Sequence, residues 1–456
     1  MDLSLSWHTI LLPFPPIHRH SASLFMRRFL LCAALLIGGG DVAYAPAVAA
    51  TVDREKDVPP YSLPDPLIRT NGQPVRTARE WRESRRPELL RLFADEEYGR
   101  TLVGRPSDLK FVVRESVPNA RGGRATRLRI GVLFEGREEG RQMELLVYLP
   151  NEVKGPVPVF LGLNFDGNYT TTAEPDLPVP RHWVMGLFGN PTADHRPLAA
   201  SRGIHQHQFP YAYALEHGYG IVTAGYGEIE PDLPGHWRDG PRGLGPEPGP
   251  QDWGCLGAWA WGLSRSMDYL ETNPRIDSRR VAVMGFSRLG KAAVWAAAQD
   301  ERFALVVSQN SGAGGVALSK RLFGEDVAHL AGPLGHWFAP AFARYAGNEA
   351  ALPIDQHELV ALLAPRPVLI LSATEDSYSD PKGEFLGGLG ADPVYRMLKA
   401  GGLNTRTWPP PSELVSGSIG YFLRPGGHDV TLEDWQAMIA FTDQKLRAVP
   451  HKAHVP

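Results

Sequence analysis

Eleven residues, Val281–Lys291 (V-A-V-M-G-F-S-R-L-G-K), constrain this chain more than any other stretch. Val281 to Met284 is a short apolar run of β type, and Lys291-Ala-Ala-Val-Trp-Ala-Ala-Ala is a strong helix former. Between them Gly285 is expected to permit a sharp turn with Ser287 at its apex. A strand passing into a helix through a bend holds a serine hydroxyl clear of the backbone, where a base can reach it. The N–H groups at the start of the helix point toward negative charge developing at the bend. The spacing departs from G-x-S-x-G, because Leu289 takes the second small position and Gly290 comes one residue later.

The strand order around this bend reads as alternating β and α elements. Leu109–Val113, Thr126–Val132 and Glu144–Leu149 are strand-like and read as the antiparallel start of a mixed sheet. Val157–Leu163, Gly220–Ala224, Phe303–Val307 and Val368–Ser372 are apolar runs of the kind found in buried parallel strands. Helices are expected over Arg79–Ala94 (with Pro87 a candidate break), Tyr211–His217, Trp259–Glu271, around Ala361, Val394–Ala400 and Leu432–Arg447. Apolar strands alternating with helices predict an α/β fold, a mainly parallel central sheet with helices on both faces. With a serine at a strand-to-helix bend, that is the layout of the α/β-hydrolase fold.

The N-terminus carries a separate message. Met26-Arg-Arg followed by an apolar run and the small residues Ala45, Ala47, Ala49 and Ala50 has the form of a secretory signal, too short to span a bilayer. Residues 1–25, with Pro13, Pro15 and Pro16, lack that form, which places the probable start at Met26. The expected organisation is residues 1–50 as extension and signal, 51–94 as an extended arm and first helix, and 95–450 as the catalytic domain. Removal of the signal takes Cys32 with it, so Cys255 alone remains and no internal disulfide can form. A net charge of −3 and the lack of a long basic run argue against nucleic acid as a partner. The mature chain is expected in the periplasm or medium, off the membrane and monomeric.

A serine hydrolase of this fold needs an acid and then a histidine after the nucleophile. Arg366–Asp376 is a strand running into an acidic loop, and Gly426-Gly-His428-Asp429 is a glycine-rich loop before the last helix. His428 there can take the serine proton, with Asp376 fixing its tautomer and stabilising the imidazolium. The loop Asn164–Asn168 after the Val157–Leu163 strand is a candidate source of an oxyanion N–H. Residues 171–210, rich in Pro and His, read as a functional surface loop. His205 and His207 lack a third ligand at metal-like spacing and are read as loop histidines, so no metal is expected. Trp253, Trp259, Trp261 and His336-Trp337-Phe338 are read as packing aromatics.

Gly285-Phe-Ser-Arg-Leu-Gly-Lys291, Ser311-Gly-Ala-Gly-Gly315, Gly324-Glu325 and Glu375-Asp376 with Ser379-Asp-Pro381 together resemble the glucuronoyl esterases of carbohydrate esterase family 15 in their bacterial form. The likeness spans most of residues 95–445. It implies hydrolysis of the ester between 4-O-methyl-glucuronic acid of glucuronoxylan and lignin alcohols, with no cofactor. It further implies Ser287 as nucleophile, His428 as base, Arg288 at the oxyanion hole, and Lys291 and Glu325 on the sugar hydroxyls. Two positions depart from the family pattern. Fungal members carry a catalytic glutamate just before S-G-A-G-G, where this chain has Asn310, so Asp376 is chosen as the acid over Glu375 and Asp380. Tyr378 stands where the family usually has a tryptophan against the sugar.

Two other readings compete: an acetyl-xylan or other carboxylesterase of the same fold, and a non-catalytic carbohydrate-binding protein on a hydrolase scaffold. An intact Ser287, His428 and Asp376 argues against the second. For export, N-terminal sequencing of protein recovered from the periplasm or medium should find a start near residues 46–52. An intact Met26 on that material would overturn the export reading.

Overall fold

The computed structural model describes residues 52–186 and 194–447, which fall within one packed unit. The expected signal and its cleavage positions lie outside the described residues. Among these, no helix is long and apolar enough to cross a membrane.

Ten strands form one sheet: β1 Lys110–Ala120, β2 Ala125–Leu133, β3 Gln142–Pro150, β4 Val157–Asn164, β5 Gly220–Gly225, β6 Ile276–Phe286, β7 Leu305–Gln309, β8 Val368–Ala373, β9 Leu414–Ser416 and β10 Ile419–Arg424. Their spatial order is β1-β2-β3-β5-β4-β6-β7-β8-β10-β9. β1, β2 and β3 pair antiparallel, as the sequence predicts, and β3 joins β5 antiparallel. From β5 to β10 the pairs are parallel, and β9 closes the far edge antiparallel. Every residue of β4, β5, β7, β8 and β10 is buried. Helices cover both faces, as all-apolar parallel strands require. Cys255–Leu270, Arg288–Gln299, Gln356–Ala361 and Pro381–Met397 pack against one another in a row. Trp435 of the helix Leu432–Thr442 meets Phe160 of β4 with ring centroids 5.3 Å apart.

Several boundaries moved. β9 and β10 are absent from the sequence reading, although Ile419–Leu423 is an apolar run after Gly417-Ser418. β1 continues past Val113 through a register shift at Val113/Glu115. The helix expected over Val394–Ala400 is the end of a longer one, Pro381–Met397. Its glycines hid it: Gly387 sits so close to the Val316 carbonyl that a Cβ would come within 2.0 Å. Pro87 does not break the first helical stretch, because the preceding turn, Trp81–Arg85, is a widened π turn and Pro87 falls at the start of Arg86–Phe93. The arm before it is pinned to the body. Val52 bridges Phe323, its carbonyl accepts from the Gly324 N–H at 2.8 Å, and Lys382 reaches Glu55 at 2.6 Å.

Strand order decides where a site can form. From β4 the chain goes one way to β5 and then crosses to β6 on the other side, so the order reverses at β4. Open α/β sheets bind ligands at such a point, outside the carboxyl ends of the strands. The loops leaving β4, β5, β6, β7, β8 and β10 all emerge along that edge.

The bend itself differs from the expectation in one respect. Gly285 lies within β6, and Ser287 carries the strained backbone, with φ 58° and ψ −132°. Gly285 is needed for close approach: a Cβ there would lie 2.0 Å from the Leu289 carbonyl oxygen. Gly290 is also tight, at 3.0 Å from the Gly285 carbonyl oxygen and from Ser311 Cβ. Gly285→Ala should therefore destabilise by about 2–3 kcal/mol, the scale of overpacking against backbone that cannot yield. Gly104, where a Cβ would meet nothing within 4 Å, should tolerate alanine with little change in urea midpoint.

Candidate active site

β6 ends at Phe286, Ser287 occupies the bend, and the helix begins at Arg288. The Ser287 N–H donates to the Gln309 carbonyl at 2.9 Å, which ties the bend to the end of β7. The His428 ring lies beside Phe286, with centroids 4.4 Å apart. Its Nδ1 is 2.6 Å from Asp376 Oδ2, which leaves Nε2 as the nitrogen for proton transfer. Asp376 follows β8 and is 5% exposed. The same Oδ2 accepts from Asn310 Nδ2 at 2.7 Å. Burial alone would raise the Asp376 carboxyl, but hydrogen bonds from His428, Ser379 and Asn310 outweigh it and hold the group below the ordinary carboxylate value. It is therefore charged at neutral pH. The alternatives are placed elsewhere: Glu375 is exposed, and Asp380 pairs with Arg321 at 2.9 Å while capping the helix Pro381–Met397.

Arg288 points into a second cluster. Its NH1 donates to Asp232 Oδ2 at 2.6 Å, and its guanidinium lies 4.6 Å above the Trp337 ring. Asp232 also accepts from His336 Nε2 at 2.7 Å, Trp337 Nε1 at 2.6 Å and the Tyr226 hydroxyl at 3.1 Å. Burial pushes the Asp232 carboxyl up, yet Arg288 and these donors bring it down to about 2. Arg288 Nε, in contrast, is buried and has no hydrogen-bond partner among the described residues. A buried donor left open beside the bend is suited to charge that appears only during reaction. Phe165, of the loop after β4, lies under the same guanidinium at 5.9 Å and edge-on to Phe286.

Lys291 is 2% exposed, and its ammonium is fully engaged within the protein. It donates to the carbonyls of Ser311 and Ala313, each at 2.6 Å, and to Glu325. The sequence placed Lys291 on ring oxygens of a substrate; here its three donors hold the S-G-A-G-G turn and Glu325. Gly312 makes that pair possible, since a Cβ there would lie 2.8 Å from Glu325 Oε2. The Glu325 N–H donates to the Tyr378 carbonyl at 2.9 Å, and burial followed by the Glu325 charge drives the Tyr378 hydroxyl well up. Lys291, Glu325 and Tyr378 thus form one cluster on the β7–β8 side of Ser287.

Other residues take structural roles. His205 is buried and bonds to Asp166 at 2.9 Å, while His207 and Gln208 both reach Asp429. Trp253, Trp259 and Trp261 are buried. Phe338 packs against Tyr98 and Phe342, as a packing aromatic should. His336 and Trp337 do more, because they fix Asp232. The sequence reading missed Asp232 as well; the one signal was an acidic residue in the loop after a β strand on the site edge. Asp232, Cys255 and His336 are close enough to be compared with a metal site. Arg288, His336 and Trp337 already supply the charge and donors that Asp232 needs.

Residues 248–399 match the family model described as glucuronyl esterase of fungi. A carbohydrate esterase, MZ0003, of an unknown prokaryotic organism is 44% identical over 86% of this chain and 91% of its own length. The chain belongs to the glucuronoyl esterases of carbohydrate esterase family 15. It is a carboxylic ester hydrolase. The solved glucuronoyl esterase of Solibacter usitatus is 41% identical, with a TM-score of 0.81 over 86% of this chain and all of that one. A 4-O-methyl-glucuronoyl methylesterase of Schizophyllum commune is 27% identical over 86% of this chain and 90% of its length.

Asp376→Asn should lower kcat by about 10²–10⁴-fold while sparing the fold, because the imidazolium loses the charge beside its Nδ1. Asn310→Ala should cost no more than about tenfold, since it removes one neutral donor from a carboxylate that keeps the others. The reverse ranking in steady-state kinetics would mean that the acid is misassigned. Asp232→Asn should lower kcat by about 10–10²-fold with little change in KM, as expected if it orients a group acting in the transition state.

Proposed function

We propose that this esterase hydrolyses the ester joining 4-O-methyl-glucuronic acid of glucuronoxylan to an alcohol such as those of lignin. Ser287 Oγ attacks the ester carbonyl as His428 Nε2 takes its proton. The carbonyl π electrons move onto oxygen, and Arg288 Nε with the N–H groups at the helix start stabilises that oxyanion. As the tetrahedral intermediate collapses, the C–O bond to the alcohol breaks and the imidazolium protonates the leaving oxygen. Water then attacks the glucuronoyl-Ser287 ester by the same route in reverse roles, releasing the acid. These residues supply the whole reaction, so the reading needs no metal or cofactor. Export to the periplasm or medium and action as a monomer complete it.

The observation that carries the acyl assignment is the buried Lys291–Glu325 pair beside the bend, next to Tyr378. Burying an ion pair is costly, and its retention near a nucleophile makes sense where a polar acyl group must be gripped. Glu325 offers acceptors to ring hydroxyls, Tyr378 offers an apolar face and a hydroxyl, and Lys291 fixes Glu325 for both. The relatives named 4-O-methyl-glucuronoyl methylesterase support the same class of substrate. An acetyl-xylan esterase would hold its sugar on the leaving side and gain nothing from this cluster.

Lys291→Ala and Glu325→Ala should each impair hydrolysis of benzyl glucuronate by about 1–3 kcal/mol in kcat/KM, the scale of one or two charged hydrogen bonds. Hydrolysis of 4-nitrophenyl acetate, which has no acyl-side sugar, should change little with Glu325→Ala. Equal losses on both esters would mean that the cluster serves the bend itself, and the acyl-side sugar site would be abandoned.

A further inference from the structure

The loop that carries His428 is built from residues that would not hold a shape by themselves. Pro425-Gly426-Gly427-His428-Asp429 leaves β10 with two adjacent glycines, the residue type that loses most freedom on ordering. Gly426 has φ 101°, and Gly427 has nothing within 4 Å of where a Cβ would stand. The Phe286 ring and Asp376 fix the imidazole, but neither fixes the backbone that presents it.

That backbone is wound around Arg424, the last residue of β10, which is buried. One terminal nitrogen of the guanidinium, NH1, donates to the Pro425 carbonyl at 2.7 Å. The other, NH2, donates to the carbonyls of Gly427 at 2.8 Å and Asp429 at 2.9 Å. The residues on either side of His428 are thus held by a single nitrogen. The intervening carbonyls turn the other way: that of Arg424 accepts from the Thr374 N–H at 2.9 Å, and that of Gly426 from the Glu375 N–H at 2.8 Å. Those two bonds lace the loop to the one that carries Asp376. Gly426 is needed where the winding is tightest, since a Cβ there would lie 3.0 Å from Arg424 NH1. On the remaining side, Arg424 Nε faces the buried Asp434 at 2.9 Å, and Asp434 also accepts from the Thr431 N–H at 2.8 Å at the start of the last helix.

We propose that Arg424 is a positioning residue for the base, holding the backbone on both sides of His428 so that Nε2 faces Ser287 in each proton transfer. The inference rests on His428 as the base, the assignment made under the proposed function. A planar guanidinium suits the task, because its five donors spread in fixed directions, whereas an ammonium offers three from one point. Asp434 balances its charge, so the loop is gripped without an unpaired cation beside a group that must itself become positive. Acylation and deacylation use the same base, so a displaced His428 slows turnover of any ester and leaves binding alone.

The test uses the full chain and compares Arg424→Lys, Arg424→Ala and Asp434→Asn with a matched change elsewhere. Arg366, just before β8 at the opposite edge of the sheet, likewise donates to the carbonyls of Ala297 at 2.7 Å, Asp300 at 3.1 Å and Phe303 at 3.2 Å. Arg424→Lys should lower kcat by about 10–10²-fold on both benzyl glucuronate and 4-nitrophenyl acetate, with KM within about twofold, the scale of a reacting group displaced by about 1 Å. Asp434→Asn, which keeps an acceptor for Thr431, should lower kcat in the same direction by less. Methylguanidinium added to Arg424→Ala should restore part of the lost kcat; where that variant fails to fold, the other two decide. Arg366→Lys should lower the urea midpoint as Arg424→Lys does, with kcat within about twofold of wild type. An unchanged kcat in Arg424→Lys, a loss confined to KM, or an equal kcat loss in Arg366→Lys overturns the proposal. His428→Ala is measured alongside: full activity there overturns the base assignment itself, whereas an inactive His428→Ala beside an unimpaired Arg424→Lys overturns only the positioning role.

Discussion

The structure depends on a backbone conformation that Ser287 would not adopt alone. At φ 58° and ψ −132° it lies outside the regions ordinary L-residues favour, which costs on the order of 1–3 kcal/mol. Its surroundings hold it there. The Gln309 carbonyl accepts its N–H, the last six residues of β6 are buried, and Gly285 and Gly290 let strand and helix close on one another. Once the bend is fixed, the loop after β7 must pass beside it, and Asn310, Ser311 and Gly312 take their places. Glu384 then anchors that loop from the helix Pro381–Met397, accepting from the N–H groups of Ser311 at 2.6 Å and Gly312 at 3.1 Å.

Three buried or partly buried ion pairs surround the bend: Asp376 with His428, Asp232 with Arg288, and Glu325 with Lys291. Each answers a different demand. In the proposed reaction His428 alternates between neutral and charged, which asks its partner to remain ionised, and the donors around Asp376 favour this. Arg288 stays charged throughout; Asp232 fixes its direction and leaves Nε open. Lys291 would be intolerable unpaired in that environment, and its three acceptors turn a buried charge into a brace for the turn carrying Gly312.

What could be read from the sequence was local. The bend, the buried strands and the two loops holding Asp376 and His428 depend on neighbours within a few residues, and pattern alone placed them. Asp232 could not be found that way, because its partners Arg288 and His336 lie 56 and 104 positions along the chain. Lys291 was located, but two of its three acceptors are backbone carbonyls, which no residue type announces. β10 is as long as β5 and β8, but Gly420 interrupts its apolar run, and its neighbour β9 across Gly417-Ser418 has only three residues. The helix Pro381–Met397 was half hidden since its glycines answer tertiary contacts that composition cannot reveal.

Asn310 is better understood as one half of a choice than as a lost acid. Its amide nitrogen lies 2.7 Å from Asp376 Oδ2, the oxygen that also faces His428. A carboxylate at 310 would bring a second negative charge to hydrogen-bond distance of the first, and two such groups cannot both stay ionised. One would take up a proton, and the base would lose part of the field that favours its imidazolium. An amide avoids this: it donates where a carboxylate would repel, and so helps to keep Asp376 charged despite burial. In this chain the carboxylate stands in the loop after β8, and the residue of the loop after β7 that faces it is a donor rather than a second charge.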